Sequence, residues 1–189
     1  MAVLLKGLPP LIADAPRVLV LGSFPSVASL AGQCYYGHPR NHFWQIMELA
    51  FGEAVPRDWP GRREWVLAHG LAIWDVIGTC WREGSLDQDI RDPVPNDIVT
   101  LVRDHSSIER ILCNGGTSFD LFRKHVLPGL GAAWRLADKA GVMVPVEGTS
   151  LVPVPRLVHA LPSTSPIPTK AYRNAVDKLV PWRQALGLA

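Results

Sequence analysis

The sequence predicts an α/β protein in which a parallel sheet is covered by helices on both faces. Three observations carry that expectation. Four short apolar runs have the composition of buried parallel strands: residues 17–22 (RVLVLG), 71–76 (LAIWDV), 109–113 (ERILC) and 156–161 (RLVHAL). Segments with helical spacing alternate with them. The first, third and fourth runs end in loops of small and polar residues, GSFPS, CNGGTS and LPSTSP. Ligands of open parallel sheets bind beyond the carboxyl ends of the strands, so these loops are expected to converge on one site.

Taken in order, the first strand closes on Gly22, and residues 23–40 read as a loop containing Pro25, Gly32, Gly37 and Pro39. Asn41 is placed to cap the next helix, in which Phe43, Ile46, Met47 and Ala50 recur at helical spacing. Residues 58–61 read as a turn, and residues 62–69 as a short helix leading into the second strand. Residues 78–95 are polar and turn-rich and read as a surface excursion. Residues 96–105 are amphipathic, with Ile98, Leu101 and Val102 on one side and Asn96 or Asp97 as cap. After the third strand, Asn114-Gly115-Gly116-Thr117 leads into a helix over residues 118–126. Residues 142–154 are strand-like but rich in Pro, which places them at an edge or in a hairpin. A last helix covers about residues 169–186.

Composition narrows the function. The chain has 189 residues, 48% hydrophobic and 19% charged, which fits one domain over residues 1–189 and excludes disorder. No apolar run is long enough for a membrane span, and the N-terminus lacks the basic region and cleavage site of a signal peptide. The three cysteines, Cys34, Cys80 and Cys113, are odd in number and far apart, which excludes a disulfide framework and a zinc ribbon. A reducing cytoplasm is the expected location. The net charge of +2 suits a pocket that touches a few phosphates, not a surface that coats many.

Four segments carry candidate chemistry, and each has a plain structural alternative. Gly22-Ser23-Phe24-Pro25 could hold an anion on backbone N–H groups, or simply turn the chain. The stretch from Tyr35 to Trp44 places Tyr35, Tyr36, Phe43 and Trp44 beside His38, Arg40, Asn41 and His42. Flat rings with an amide and a cation suit a planar heterocycle and a phosphate. Equally, Phe43 and Trp44 fit a core, and Asn41 a cap. Asn114 can read the edge of a base or make an Asn-Gly turn. Ser163, Thr164 and Ser165 can grip phosphates or form a proline-braced loop, with Ile167 as an apolar tip. A thiol hydrolase on Cys34 and His38 lacks a third partner, and no metal-ligand spacing is present. No pair of carboxylates is seen to flank a candidate pocket.

Together, GSFPSVASL, YYGHPRNHFW, CNGGTSF and LPSTSP resemble the uracil-DNA glycosylase superfamily, and most closely its hypoxanthine-type branch, the DNA-deoxyinosine glycosylases. The likeness runs from about residue 17 to residue 172. It implies a three-layer α/β/α sandwich around a central four-stranded parallel sheet. It also implies hydrolysis of the N-glycosidic bond of a deaminated base in single- or double-stranded DNA, by a monomer without metal or cofactor. A non-catalytic nucleotide or damaged-DNA binding module on the same fold is the alternative. The Asn of the HPRN segment, Asn41, is implied as catalytic, with backbone N–H groups near Ser23 assisting the departing base. Phe43 is the first choice of stacking ring and Tyr36 the second, with Phe24 also beside the base and Asn114 on its edge. Arg40, Ser163, Thr164, Ser165, Ile167 and Lys170 are expected on DNA. The chain departs from the superfamily pattern where Ser23 and Phe24 replace an acid or amide, Leu161 replaces His or Asn, Ser26 replaces Gly, and Ile167-Pro168 replaces small residues.

Overall fold

The computed structural model describes residues 3–137 and 156–188. From the N-terminus it comprises β1 (Val3–Lys6), β2 (Leu11–Ile12), β3 (Val18–Gly22), α1 (Val27–Gly32), α2 (Phe43–Phe51), α3 (Trp59–Ala68), β4 (Leu71–Asp75) and β5 (Ile77–Arg82). A 3₁₀ turn (Asp87–Asp89) precedes β6 (Arg91–Pro95), α4 (Ile98–Asp104), β7 (Arg110–Asn114), α5 (Gly116–His125), α6 (Leu127–Leu130) and β8 (Trp134–Leu136). The chain closes with β9 (Arg156–Leu161) and α7 (Ala175–Leu186).

The four expected strands form the centre of the main sheet, in the order β4-β3-β7-β9, all parallel. The sheet is wider than expected. Parallel β8 flanks β9, and the two-residue antiparallel β2 flanks β4. Alternate residues of the strands feed two cores. Val18, Val20, Ile73 and Leu112 pack with Phe43 and Met47 of α2 and Trp182 of α7. Leu19, Leu21, Ile111 and Cys113 pack with Ile98 and Val102 of α4 and Phe122 of α5. Burial on both faces explains the unbroken apolar runs.

Local chemistry moves several boundaries. Residues 23–40 contain the short helix α1, whose first turn is capped by Ser26 Oγ accepting from the Ser29 N–H. The substituted Ser26 is therefore a helix cap. Asp58 caps α3 through the Gly61 N–H, so the expected turn is the helix start. Asp97 caps α4, while Asn96 donates to the Asp75 carbonyl. Asn174 caps α7, and the residues before it form a turn in which Thr169 bonds Tyr172.

The largest correction concerns residues 78–95. They are not a plain excursion: β5 pairs with β1 and β6 in a second, antiparallel sheet. Two register irregularities interrupt the β5–β6 pairing, which removes the clean alternation that would mark a strand in the sequence. The strand read over residues 142–154 lies outside the described residues. No helix among the described residues is long and apolar enough to cross a membrane.

Candidate active site

The ends of β3, β4, β7 and β9 meet at one edge of the sheet, as the strand-end rule requires. Between their loops lies a cavity of about 570 Å³. Its wall takes Ser23 and Phe24 after β3, Asp75 at the end of β4, Asn114 at the end of β7, and Ser163 to Ile167 after β9. Tyr36, His38, Arg40 and Asn41 close it from the side. A second hollow of about 540 Å³ lies across the same loop and shares Tyr36, His38, Arg40 and Asn41. Arg57 and Arg62 add to its cationic lining.

The ring that serves the cavity is held in an unusual backbone. Tyr36 has φ of +53°, a left-handed conformation that costs a tyrosine about 1 kcal/mol or more. Its ring stacks on Phe43 with centroids 3.8 Å apart. Phe43 is fully buried, with Trp44 and Trp182 edge-on around it. Phe24 is also buried, with the Arg82 guanidinium 4.8 Å from its ring centre.

Two acids reach the same floor. Asp75 is 5% exposed and lies against Gly22, where any Cβ would overlap its Oδ1. Only glycine tolerates that approach. Asp87 arrives from the 3₁₀ turn, and its Oδ1 accepts from the Ser23 hydroxyl at 2.6 Å. Burial first, then the charge of Asp87, raises the Asp75 carboxyl to about 7, against an opposing pull from Arg82. Burial also raises Asp87, while hydrogen bonding from Ser23 and the Arg82 charge oppose it.

The comparisons with known proteins now bear on this site. No family model matches the chain. A hypoxanthine DNA glycosylase of Methanosarcina barkeri is 32% identical over 114 residues, 60% of this chain and 72% of the relative. One from Methanosarcina acetivorans is 34% identical over 111 residues, 58% of this chain and 70% of the relative. The chain belongs to the hypoxanthine DNA glycosylase family. A solution NMR structure from Methanosarcina acetivorans, provisionally named a uracil DNA glycosylase, superposes with a TM-score of 0.70 at 24% identity, covering 98% of this chain and 99% of that one. That likeness bears on the fold.

In this glycosylase-family chain the expected residues separate into those that face the cavity and those that hold it. Asn41, Ser23, Tyr36, Phe24, Arg40, Ser163, Ser165 and Ile167 all line it. The N-cap residue of α2 is His42, not Asn41; Asn41 Oδ1 accepts from the Phe43 N–H at 2.9 Å in a turn just ahead of the helix, which leaves its Nδ2 donors for other work. Phe43 does not reach the cavity, because Tyr36 covers it. The Asn114 amide is engaged by Thr164: Nδ2 donates to Oγ1 at 2.9 Å and Oδ1 accepts from the N–H at 2.8 Å. It fastens one loop to the next and keeps one N–H free of that clamp. Thr164 is fully buried and its carbonyl accepts from the His42 N–H, so it has no surface for a phosphate. Lys170 is exposed but lines neither hollow.

Three residues escaped the sequence reading. Asp75 ends the second strand, where the strand-end rule applies as well as at the other three. Asp87 carries no such signal, since only the β5–β6 excursion returns it to Ser23. Lys178 sits at core spacing with Ala175, Trp182 and Ala185 on α7, which marks an unusual lysine. It is 2% exposed, and its ammonium donates to His42 Nδ1 at 3.1 Å and the Ser165 carbonyl at 2.9 Å. Burial lowers the pKa of Lys178; burial and the nearby lysine charge lower that of His42.

Proposed function

We propose that this protein is a monofunctional DNA glycosylase that hydrolyses the N-glycosidic bond of a deaminated base, hypoxanthine or uracil, and leaves an abasic site. The observation that carries the reading is the cavity at the strand ends where Asn41, Tyr36 and the last loop converge, in a chain of this family. The target base leaves the stack, which costs about a few kcal/mol and least in a mismatch. Tyr36 stacks on it, backed by Phe43. Ile167, 60% exposed at the loop tip, fills the gap left in the duplex. Ser163 and Ser165 face the flanking backbone, and the strand continues along the hollow lined by Arg40, Arg57 and Arg62.

An amide is not a general base near neutral pH, so Asn41 acts by orienting water through its Nδ2. Catalysis then rests on stabilising an oxocarbenium-like sugar and a departing base. The test is base release from short duplexes carrying one deoxyinosine, deoxyuridine or deoxyxanthosine, with protein in excess and EDTA present. Alkali-labile sites in the inosine duplex are the expected result. Cleavage of the uracil duplex alone changes the preferred base and keeps the reaction class. Folded protein that binds these duplexes and cleaves none overturns the proposal.

A further inference from the structure

Two buried polar atoms at the floor of the cavity lack a hydrogen-bond partner among the described residues: Asp75 Oδ2 and the Tyr36 hydroxyl. The Asp75 carboxyl, through its Oδ1, and the Tyr36 hydroxyl both approach Gly22, which has no side chain to separate them. The groups that face Asp75 come from three directions. Asp87 arrives from the 3₁₀ turn, Arg82 from β5, and Tyr35 and Tyr36 from the loop after α1. Arg82 is the cation among them. It is 2% exposed, its Nη2 donates to the Pro25 carbonyl, and its Nε and Nη1 have no partner among the described residues.

One buried guanidinium therefore faces two carboxyl groups, that of Asp75 buried and that of Asp87 half-buried. It balances one negative charge and leaves the second uncompensated, an arrangement that burial strongly disfavours. The reaction sharpens the problem. A base leaves with the electron pair of its glycosidic bond, and two bare carboxylates beneath it would repel that charge. Carboxyl groups held close together resolve such a conflict by keeping one proton between them.

We propose that Asp75 and Asp87 share one proton, and that the Asp75 carboxyl hands it to the departing base. This inference rests on the glycosylase reading above. As the C1′–N bond breaks, its electron pair passes to the base and the Asp75 proton neutralises that base. Water adds its oxygen to C1′ and gives up a proton to solvent. Asp75 is reprotonated from solvent, so the sum is nucleotide plus water giving free base and abasic sugar. Asp87 is a positioning residue: its charge, held by Ser23, keeps the proton on Asp75. The raised Asp75 value of about 7 agrees with a carboxyl that still holds its proton in about half of the molecules at neutral pH.

The test is the pH profile of single-turnover base release at saturating inosine duplex, from pH 5.5 to 9. The active protein should lose rate above about pH 7, approaching tenfold per pH unit. Asp75→Asn should lose at least about tenfold at pH 6.5 and show no alkaline limb. Asp87→Asn removes the like charge, so its inflection should move to lower pH. An active wild type whose alkaline limb survives both substitutions overturns the inference and leaves the glycosylase reading standing. A wild type inert on every duplex overturns both. Thermal melts report folding, and should Asp75→Asn not fold, Asp87→Asn decides alone: an unmoved inflection overturns the inference.

Discussion

Asn41 serves two masters, and its two side-chain atoms separate them. Its Oδ1 accepts from the first N–H of α2, one residue ahead of the N-cap position, while its Nδ2 is left over beside the cavity. Asn41→Ala removes both, so it should lower stability by about 1 kcal/mol, a Tm shift of about 2–4 °C. It should also slow single-turnover base release by at least about tenfold with duplex binding retained. Asn41→Asp keeps the acceptor and discards the donor. It should melt like the wild type and remain slow. Calorimetry and rates on both variants decide the matter: unchanged rates reduce Asn41 to its turn. The sequence could show that this position suited either role, because a cap and a catalytic amide want the same loop-to-helix junction. It could not show how one amide divides its atoms, since that depends on which of them faces the Phe43 N–H.

The last loop is held by three elements at once. β7 grips Thr164 through Asn114, α2 takes its carbonyl through His42, and α7 takes the Ser165 carbonyl through Lys178. Lys178→Met should loosen the loop with little change at the reacting centre. Duplex affinity should fall by about tenfold, with the single-turnover rate at saturation near wild type; an unchanged affinity refutes that role. Asn114→Ala leaves the buried Thr164 N–H and hydroxyl unpaired, at about 1–3 kcal/mol for such a group. It should weaken inosine and uracil duplexes alike, and a changed ranking between them would return Asn114 to reading the base. Strand ends were legible because RVLVLG, LAIWDV, ERILC and RLVHAL are doubly buried runs with abrupt polar exits. The cross-loop fastening was not, because Asn114, Thr164 and Lys178 are paired only by the fold. The β5–β6 hairpin was hidden by its own irregular register, and with it the route that brings Asp87 to Ser23.

At the scale of the molecule, the acid that serves the cavity and a histidine in the sheet pull stability in opposite directions with pH. Asp75 titrates near 7 in the folded chain and near 3.8 unfolded. Between those values the folded state holds the extra proton, so Asp75 costs stability as pH rises through about 4 to 7, by a few kcal/mol. His159, 7% exposed on β9 with Nε2 unpartnered among the described residues, is lowered to about 4 by burial and then by Arg110. There the unfolded state holds the extra proton between about 4 and 6.5. Stability is lost as pH falls through that window, by about 3 kcal/mol. The two slopes offset each other in the wild type, with Asp87 adding to the side of Asp75. Single substitutions should expose each slope. Asp75→Asn should match the wild-type Tm near pH 4.5 and exceed it increasingly toward pH 7.5. His159→Leu should gain most at pH 4.5 and least at pH 7.5. Melts of the three proteins across that range are the measurement, and an Asp75→Asn advantage that does not grow with pH refutes the buried-acid account. A variant both more stable and slower is the signature of a buried acid retained for chemistry at the expense of the fold.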